Sequence, residues 1–330
     1  MIHLTDITQE KKKAWSLLKI GAVPAWLAWL KRDLSRNGVF LLMCLPGILL
    51  VLVFSYLPLP GLVIAFKNFK ANLGLWDSAW VGFKNFEFLF TTKVAWRITV
   101  NTVFLNSIFI ATSILGSLGL ALLLNEVRIK WLARFYQSAV FFPYFVSWVV
   151  VGMFCFALLS YDNGLMNITL ARLGYEPVDW YKSADLWPGI LTFVNLWKGA
   201  GYWSIVYLAA MMGISPEYYE AAELDGASRW KQITSITLPL ITPIIIINFL
   251  LAVGRIFFAD FGMFYYVTRD SKLLYATTDV IDTYVFRALR QLGDFGMAGA
   301  AGLYQSLIGF LTILFANWLV KRVDPDKSLF

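Results

Sequence analysis

Charge is scarce in this chain. Only 15% of its 330 residues are Asp, Glu, Lys or Arg, against about 25% in an average soluble domain. Histidine is nearly absent: His3 stands alone in a polar stretch, where it is expected to be exposed and inert. The two cysteines, Cys44 and Cys155, both fall inside apolar runs and read as small buried hydrophobes. So few His and Cys exclude a zinc site or a disulfide framework, and no metal site is expected. Without a carboxylate pair in the apolar runs, a membrane enzyme would have no acid–base or metal groups to work with, so no catalytic residue is assigned. The runs also lack the acidic relays of an ion-coupled transporter. No G-x-x-x-x-G-K-[ST] phosphate loop is found, so ATP and Mg are expected on another chain and no cofactor on this one. Residues 1–38 lack the basic, apolar, small-residue order of a cleavable signal.

What the chain has instead is long apolar blocks. Hydrophobic residues make up 59% and the mean hydropathy is +0.65. Blocks near 39–66, 98–124, 135–159, 187–212, 236–259 and 299–320 are long enough to cross a bilayer as helices. Pro46, Pro58 and Pro60 predict an irregular outer end for the first. The net charge of +7 and pI of 9.3 fit Lys and Arg flanking membrane spans better than nucleic-acid binding. With residues 1–38 inside, the inside segments (1–38, 125–134, 213–235, 321–330) hold 15 Lys and Arg, and the longer outside loops (67–97, 160–186, 260–298) hold 11. That bias predicts both termini in the cytoplasm. The organisation is then an N-terminal segment 1–38, a membrane domain 39–320 with a loop at 213–235, and a tail 321–330.

Within residues 14–36, Trp15, Leu18, Ala22, Trp26, Trp29 and Leu30 recur at helical spacing beside Lys19, Lys31, Arg32 and Arg36. They describe an amphipathic helix, lying on the membrane surface or packed on the bundle, with a bend at Pro24. The outside loops are rich in aromatics: Trp76, Trp80, Phe83 and Phe90, then Tyr161, Tyr175, Trp180 and Tyr181, then Tyr265, Tyr266, Tyr275 and Tyr284. Such residues form interfacial belts by default and stacking surfaces for sugars or proteins otherwise.

The most informative stretch is Ser215 to Pro243. Ser215 suits an N-cap, Pro216 the first helical position and Glu217 the positive end of the helix dipole. A short helix from Tyr218 to Leu224 ends at Gly226, which can take positive φ. A second short helix through Trp230 and Gln232 leads to Leu238-Pro239 and the next apolar block. The result is a helix–turn–helix between two spans. Ala221, Ala222, Gly226 and Ala227 are small enough for another backbone to approach closely.

The order Glu220-Ala221-Ala222, three residues, Gly226, nine residues, Ile236, one residue, Leu238-Pro239 resembles the EAA signature of binding-protein-dependent ABC importer permeases. The stretch Ile205 to Met212 resembles carbohydrate-uptake permeases of the maltose-system class. Asp279 to Phe286, Gly302 to Ser306 and Val323 to Phe330 resemble its lipoprotein/polysaccharide branch, which includes alginate-type permeases. The resemblance implies an all-α type I importer transmembrane domain, with six spans plus the N-terminal helix. It implies that Glu220, Ala221, Ala222 and Gly226, with Asp225 and Arg229 beside them, form the coupling element that docks an ATPase. It further implies a second homologous permease, two ATP-binding subunits and an extracytoplasmic solute-binding protein as partners.

Ionisable residues inside spans are costly and face a cavity, a partner or the interface. Lys198 lies within Asn195 to Trp203, and Arg255 within Gly254 to Asp260. One reading has Asn195, Trp197, Lys198, Tyr202, Trp203 and Arg255 lining a sugar path, with the two cations attracting uronic-acid carboxylates. The other has both cations snorkelling near outer helix ends, Arg255 paired with Asp260. Function by this resemblance is import of an oligo- or polysaccharide, acidic in the sharper form. A permease for a peptide or other small solute is the alternative, since the EAA loop does not report the solute.

Overall fold

The computed structural model describes residues 25–325 and 328, with side chains from residue 36 onward except at 323. The chain divides into two compact units at Leu62/Val63. The first holds α1 (Ala25–Val51), whose Asn37 leaves helical φ/ψ and whose Pro46 sits inside the helix. A π-helical turn, Leu52–Tyr56, follows. Pro58 and Pro60 donate no backbone N–H, and the chain continues as 3-10 helix over Leu59–Phe66. The irregular end expected from these prolines is present. Trp15, Leu18, Lys19, Ala22 and the bend at Pro24 lie outside the described residues, as does His3.

Among the described residues of the second unit, the regular elements are helices and one antiparallel hairpin, β1 (Lys67–Lys70) and β2 (Ser78–Trp80), with Lys67 opposite Trp80. Its long helices are α2 (Lys93–Asn125), α3 (Lys130–Phe145), α4 (Trp148–Leu159) and α5 (Trp187–Met212). Then come α6 (Pro216–Leu224), α7 (Arg229–Gln232), α8 (Leu238–Val253), α9 (Ile281–Arg287) and α10 (Phe295–Val323). A π-helical turn, Ile233–Thr237, joins α7 to α8. It precedes Pro239, which removes one ladder donor and crowds the carbonyl four residues back. The second helix of the expected helix–turn–helix is therefore the first turn of the next span, joined to it through that π-helical turn.

Among the described residues, four helical stretches are long and apolar enough to cross a membrane: Arg36–Phe66, Lys93–Asn125, Arg229–Val253 and Phe295–Arg322. The pair α3 and α4, bent by 96° at Val146–Ser147, makes a fifth if taken as one broken span. Pro143 near the end of α3 and Ser147 capping α4 account for the break. Helix α5 falls short of the same criterion because Asn195, Lys198 and its glycines dilute its apolar character.

Side-chain contacts give the helix directions. Leu105 and Phe109 of α2 pack with Trp187, Leu191 and Val194 of α5, and Ala121 and Leu124 pack with Tyr207, Leu208 and Met211. So α2 and α5 run parallel, and Ile241 of α8 beside Tyr207 sets α8 running back. At one end of the bundle, Asn101 bonds the carbonyls of Ala276 and Asp279, Thr277 that of Ala184, and Phe69 meets Phe295. The aromatic loops therefore share one end and the 213–235 loop occupies the other.

That aromatic-loop end is tied by charge. Asp279, with a side chain 1% exposed, pairs with Arg97 at 3.1 Å and with Arg287, which also reaches Asp270 at 2.7 Å. Burial alone would lower the Arg287 pKa, but Asp279 and Asp270 outweigh it and the net shift is upward. Burial, then the bond donated to Asp270, pushes Tyr275 up to about 12. Cys155 is buried in the core as expected, but Cys44 is exposed on α1, whose apolar surface is not confined to one buried face.

Candidate functional site

Two regions stand out. The first is the 215–237 loop. Helix α6 begins at Pro216 with Ser215 in the N-cap backbone position, although its hydroxyl accepts no capping bond. Gly226 takes φ +75°, and Ala227 N–H closes the turn on Ala222 O at 2.8 Å. The turn is anchored from below: Tyr219 Oη meets Thr237 Oγ1 at 2.9 Å, and buried Gln232 donates to Ala227 O at 3.3 Å. Arg229 bridges to Glu223 at 3.1 Å and donates to Gln232 Oε1. The opposite face is open. Glu220, Ala221, Asp225, Gly226 and Arg229 are exposed and Ala222 is half-buried. Beside them Leu224 is 90% exposed and Trp230 71%. The turn thus leaves Leu224, Trp230 and the small residues Ala221 and Gly226 exposed together.

The second region is a cavity of about 570 Å³ among α2, α5, α8 and the segment after α8. Asn195, Trp203 and Arg255 line it, with Asn106, Ser113, Tyr207, Asn248 and Asp260. Trp197, Lys198 and Tyr202 do not. At 100° per residue, positions 195, 203 and 207 spread over about 120° of α5, with 198 and 202 just beyond 195 on its other side, and there Lys198 and Tyr202 meet the end of α3. Tyr202 stacks on Tyr144 at 4.6 Å. Lys198 Nζ donates to the carbonyls of Tyr144 and Val146 at 2.7 Å and of Pro143 at 3.3 Å, near the rings of Tyr144 and Trp148. It therefore neither snorkels at a helix end nor reaches the cavity. It holds the carbonyls that the broken span leaves open.

The backbone after α8 leaves helical form and lines the cavity. Irregular backbone at membrane depth needs partners from protein. Asn106 donates to Ile256 O and Phe258 O, Gln305 to Phe257 O, and Asp282 accepts from Ala259 N–H at 2.8 Å. Burial raises the Asp282 pKa, against the bonds from Ala259 and Gln305 that lower it. Arg255 is exposed at the lining and forms no ion pair among the described residues. The expected pairing with Asp260 is corrected here: Asp260 accepts from Trp148 Nε1 at 2.8 Å and Met263 N–H at 3.3 Å. Asn106, Ser113 and Asn248 are not among the path residues expected from sequence, which lie beside the two intramembrane cations Lys198 and Arg255. A polar amide within an apolar run was the available signal. No cluster of three or more metal-ligating side chains occurs among the described residues.

Residues 113–325 match the family model described as binding-protein-dependent transport system inner membrane component. The polygalacturonan/rhamnogalacturonan transport system permease protein YteP of Bacillus subtilis is 35% identical over 89% of this chain and 91% of its own. A crystal structure of a bacterial ABC transporter involved in the import of the acidic polysaccharide alginate superposes with TM-score 0.81 at 34% identity, over 89% of this chain and 99% of that one. A second, of a bacterial alginate ABC transporter in complex with alginate pentasaccharide-bound periplasmic protein, gives 0.80 at 34%, over 88% and 97%. At that identity and coverage the fold is that of a type I ABC importer permease.

Proposed function

Since the chain belongs to the family of binding-protein-dependent transport system inner membrane components, we propose that it is the permease subunit of an ABC importer that takes up an acidic oligo- or polysaccharide of uronate type. It acts with a second homologous permease, two ATP-binding subunits and an extracytoplasmic solute-binding protein. Its six spans comprise the four apolar helices, the bent pair and α5. Both termini lie in the cytoplasm, on the side of the 213–235 loop.

The observation that carries the coupling role is the exposed turn from Pro216 to Trp230, pinned by Tyr219–Thr237 and Gln232–Ala227. A pinned turn transmits the movement of a docked ATPase to α5 and α8, to which it is joined at both ends. ATP closes the ATPase pair, the turn moves with it, and the paired permeases switch access from one side to the other. The two states then differ in free energy through this contact. The observation that favours an acidic saccharide is Arg255, at a cavity otherwise lined by amides, hydroxyls, aromatic rings, aliphatic side chains and Asp260, whose carboxylate is taken up by Trp148 Nε1 and Met263 N–H. Carboxylates bond well to guanidinium, and sugar rings to amides and aromatics. The names of the relatives point the same way.

The test is uptake by proteoliposomes carrying the whole importer, with oligogalacturonate and a malto-oligosaccharide compared side by side. Wild type should favour the acidic substrate, and Arg255→Gln should erase that preference while neutral uptake is kept. Equal preference in both proteins overturns the acidic assignment. Failure to purify with any ATPase subunit overturns the permease role of the loop.

A further inference from the structure

A second cavity, of about 380 Å³, opens on the other end of the wall that bounds the first. The wall is the segment from Asp260 to Asp270. Asp260, Phe261 and Met263 face the first cavity. Tyr265, Tyr266, Arg269 and Asp270 face the second, across from Phe156 of α4. The two sides are joined by rings: Phe261 stacks on Tyr265 at 5.0 Å, and Tyr265 meets Tyr266 edge-on at 5.2 Å. Helix α4 is held against this wall by close backbone approach. A Cβ on Gly152 would come within 2.5 Å of Tyr266 O.

The charge of the second cavity is settled by its neighbours. Its single carboxylate, Asp270, is already used, accepting from Arg287 at 2.7 Å and from Tyr275 Oη at 2.9 Å. Arg269 is exposed, lies over the Phe156 ring at 3.9 Å and forms no ion pair among the described residues. Arg269 and Asp270 also hold φ of +56° and +47°, in the left-handed region that side-chain-bearing residues avoid. Such strain persists where surrounding contacts impose it, and it clusters at ligand sites. Here the Asp270 contacts impose it, and it turns Arg269 out to the cavity.

We infer that this cavity is a second uronate subsite, so that one polyuronate chain lies along the 260–270 wall, with one carboxylate at Arg255 and another at Arg269. The inference rests on the acidic-saccharide reading above. It adds that the importer measures chain length: a disaccharide occupies only the Arg255 cavity, and a hexasaccharide reaches both.

The experiment uses the complete importer in lipid nanodiscs. Half-saturating concentrations for stimulated ATP hydrolysis are measured with digalacturonate, hexagalacturonate and maltohexaose. Arg269→Gln should raise the value for hexagalacturonate about threefold to tenfold, the range of one partly screened guanidinium–carboxylate contact, and leave digalacturonate and maltohexaose unchanged. Arg269→Lys should restore most of the loss. An equal effect on all three sugars would mean a structural role and overturns the inference, as does no effect on any. A cavity filled by lipid would give that second result in nanodiscs of either anionic or zwitterionic lipid. Failure of the underlying reading looks different: wild type would then prefer maltohexaose, or Arg255→Gln would leave digalacturonate unaffected.

Discussion

Replacing Lys198 by Met separates two accounts of this residue. Read as a path residue, Lys198 attracts carboxylates. In the structure its ammonium serves three carbonyls at the break between α3 and α4, at 2.7, 2.7 and 3.3 Å. A hydrogen bond to a charged group contributes about 1.5–3 kcal/mol when buried. Lys198 is half-buried, water reaches part of the site, and Met keeps most of the stem packing. The net cost of Lys198→Met is therefore about 1–3 kcal/mol, not the sum of three bonds. Thermal unfolding in mild detergent should show a midpoint several degrees lower. Acidic and neutral uptake should fall in the same proportion, because the bend is shared by every substrate. Lys198→Arg should recover part of the stability, since it keeps cationic donors. An unchanged midpoint together with a selective loss of acidic uptake would refute the pin and return Lys198 to the substrate path.

Other expectations follow from the same geometry. Gly226→Val places a β-branched side chain at φ +75° with no neighbour to blame. The strained turn should cost about 1–2 kcal/mol locally and abolish ATPase coupling while the protein stays in the membrane, as should Glu220→Lys; a pull-down and an uptake assay check both. Gly201→Ala drives a methyl into the Val140 carbonyl, where α3 and α5 touch backbone to backbone. Unlike a flexible side chain, that carbonyl cannot yield, so the variant should lose folded yield in detergent, at a cost of about 1–3 kcal/mol or more. Asp282 has a folded pKa above its unfolded value because of burial. Its contribution to stability is greatest at low pH and declines as pH rises through and above the ordinary carboxylate range. Asp282→Asn keeps an acceptor for Ala259, so it should flatten that decline and raise the unfolding midpoint at pH 7; a lower midpoint at pH 7 and an unflattened slope would contradict it.

Local chemistry was enough to place most of the apolar helices and the turn between α6 and α7. Long apolar runs have one low-energy form in lipid, the helix, so their positions are written in composition. The turn at Gly226 is equally local, because only positive φ ends α6 and lets Ala227 close on Ala222. Pro58 and Pro60 marked an irregular span end because they lack a backbone N–H, while Pro46 sits inside α1. What sequence could not supply was which faces meet. Spacing sets Lys198 and Tyr202 close beside Asn195 on α5, and does not say which of them meets a cavity and which meets α3. That depends on α2 lying parallel to α5, on α3 pressed against Gly201, and on the backbone after α8 being held open by Asn106, Gln305 and Asp282. These contacts join residues far apart in the chain. Only the folded structure could therefore show Lys198 holding the carbonyls at the break between α3 and α4, and Arg255 and Arg269 each at a cavity bounded by the 260–270 segment.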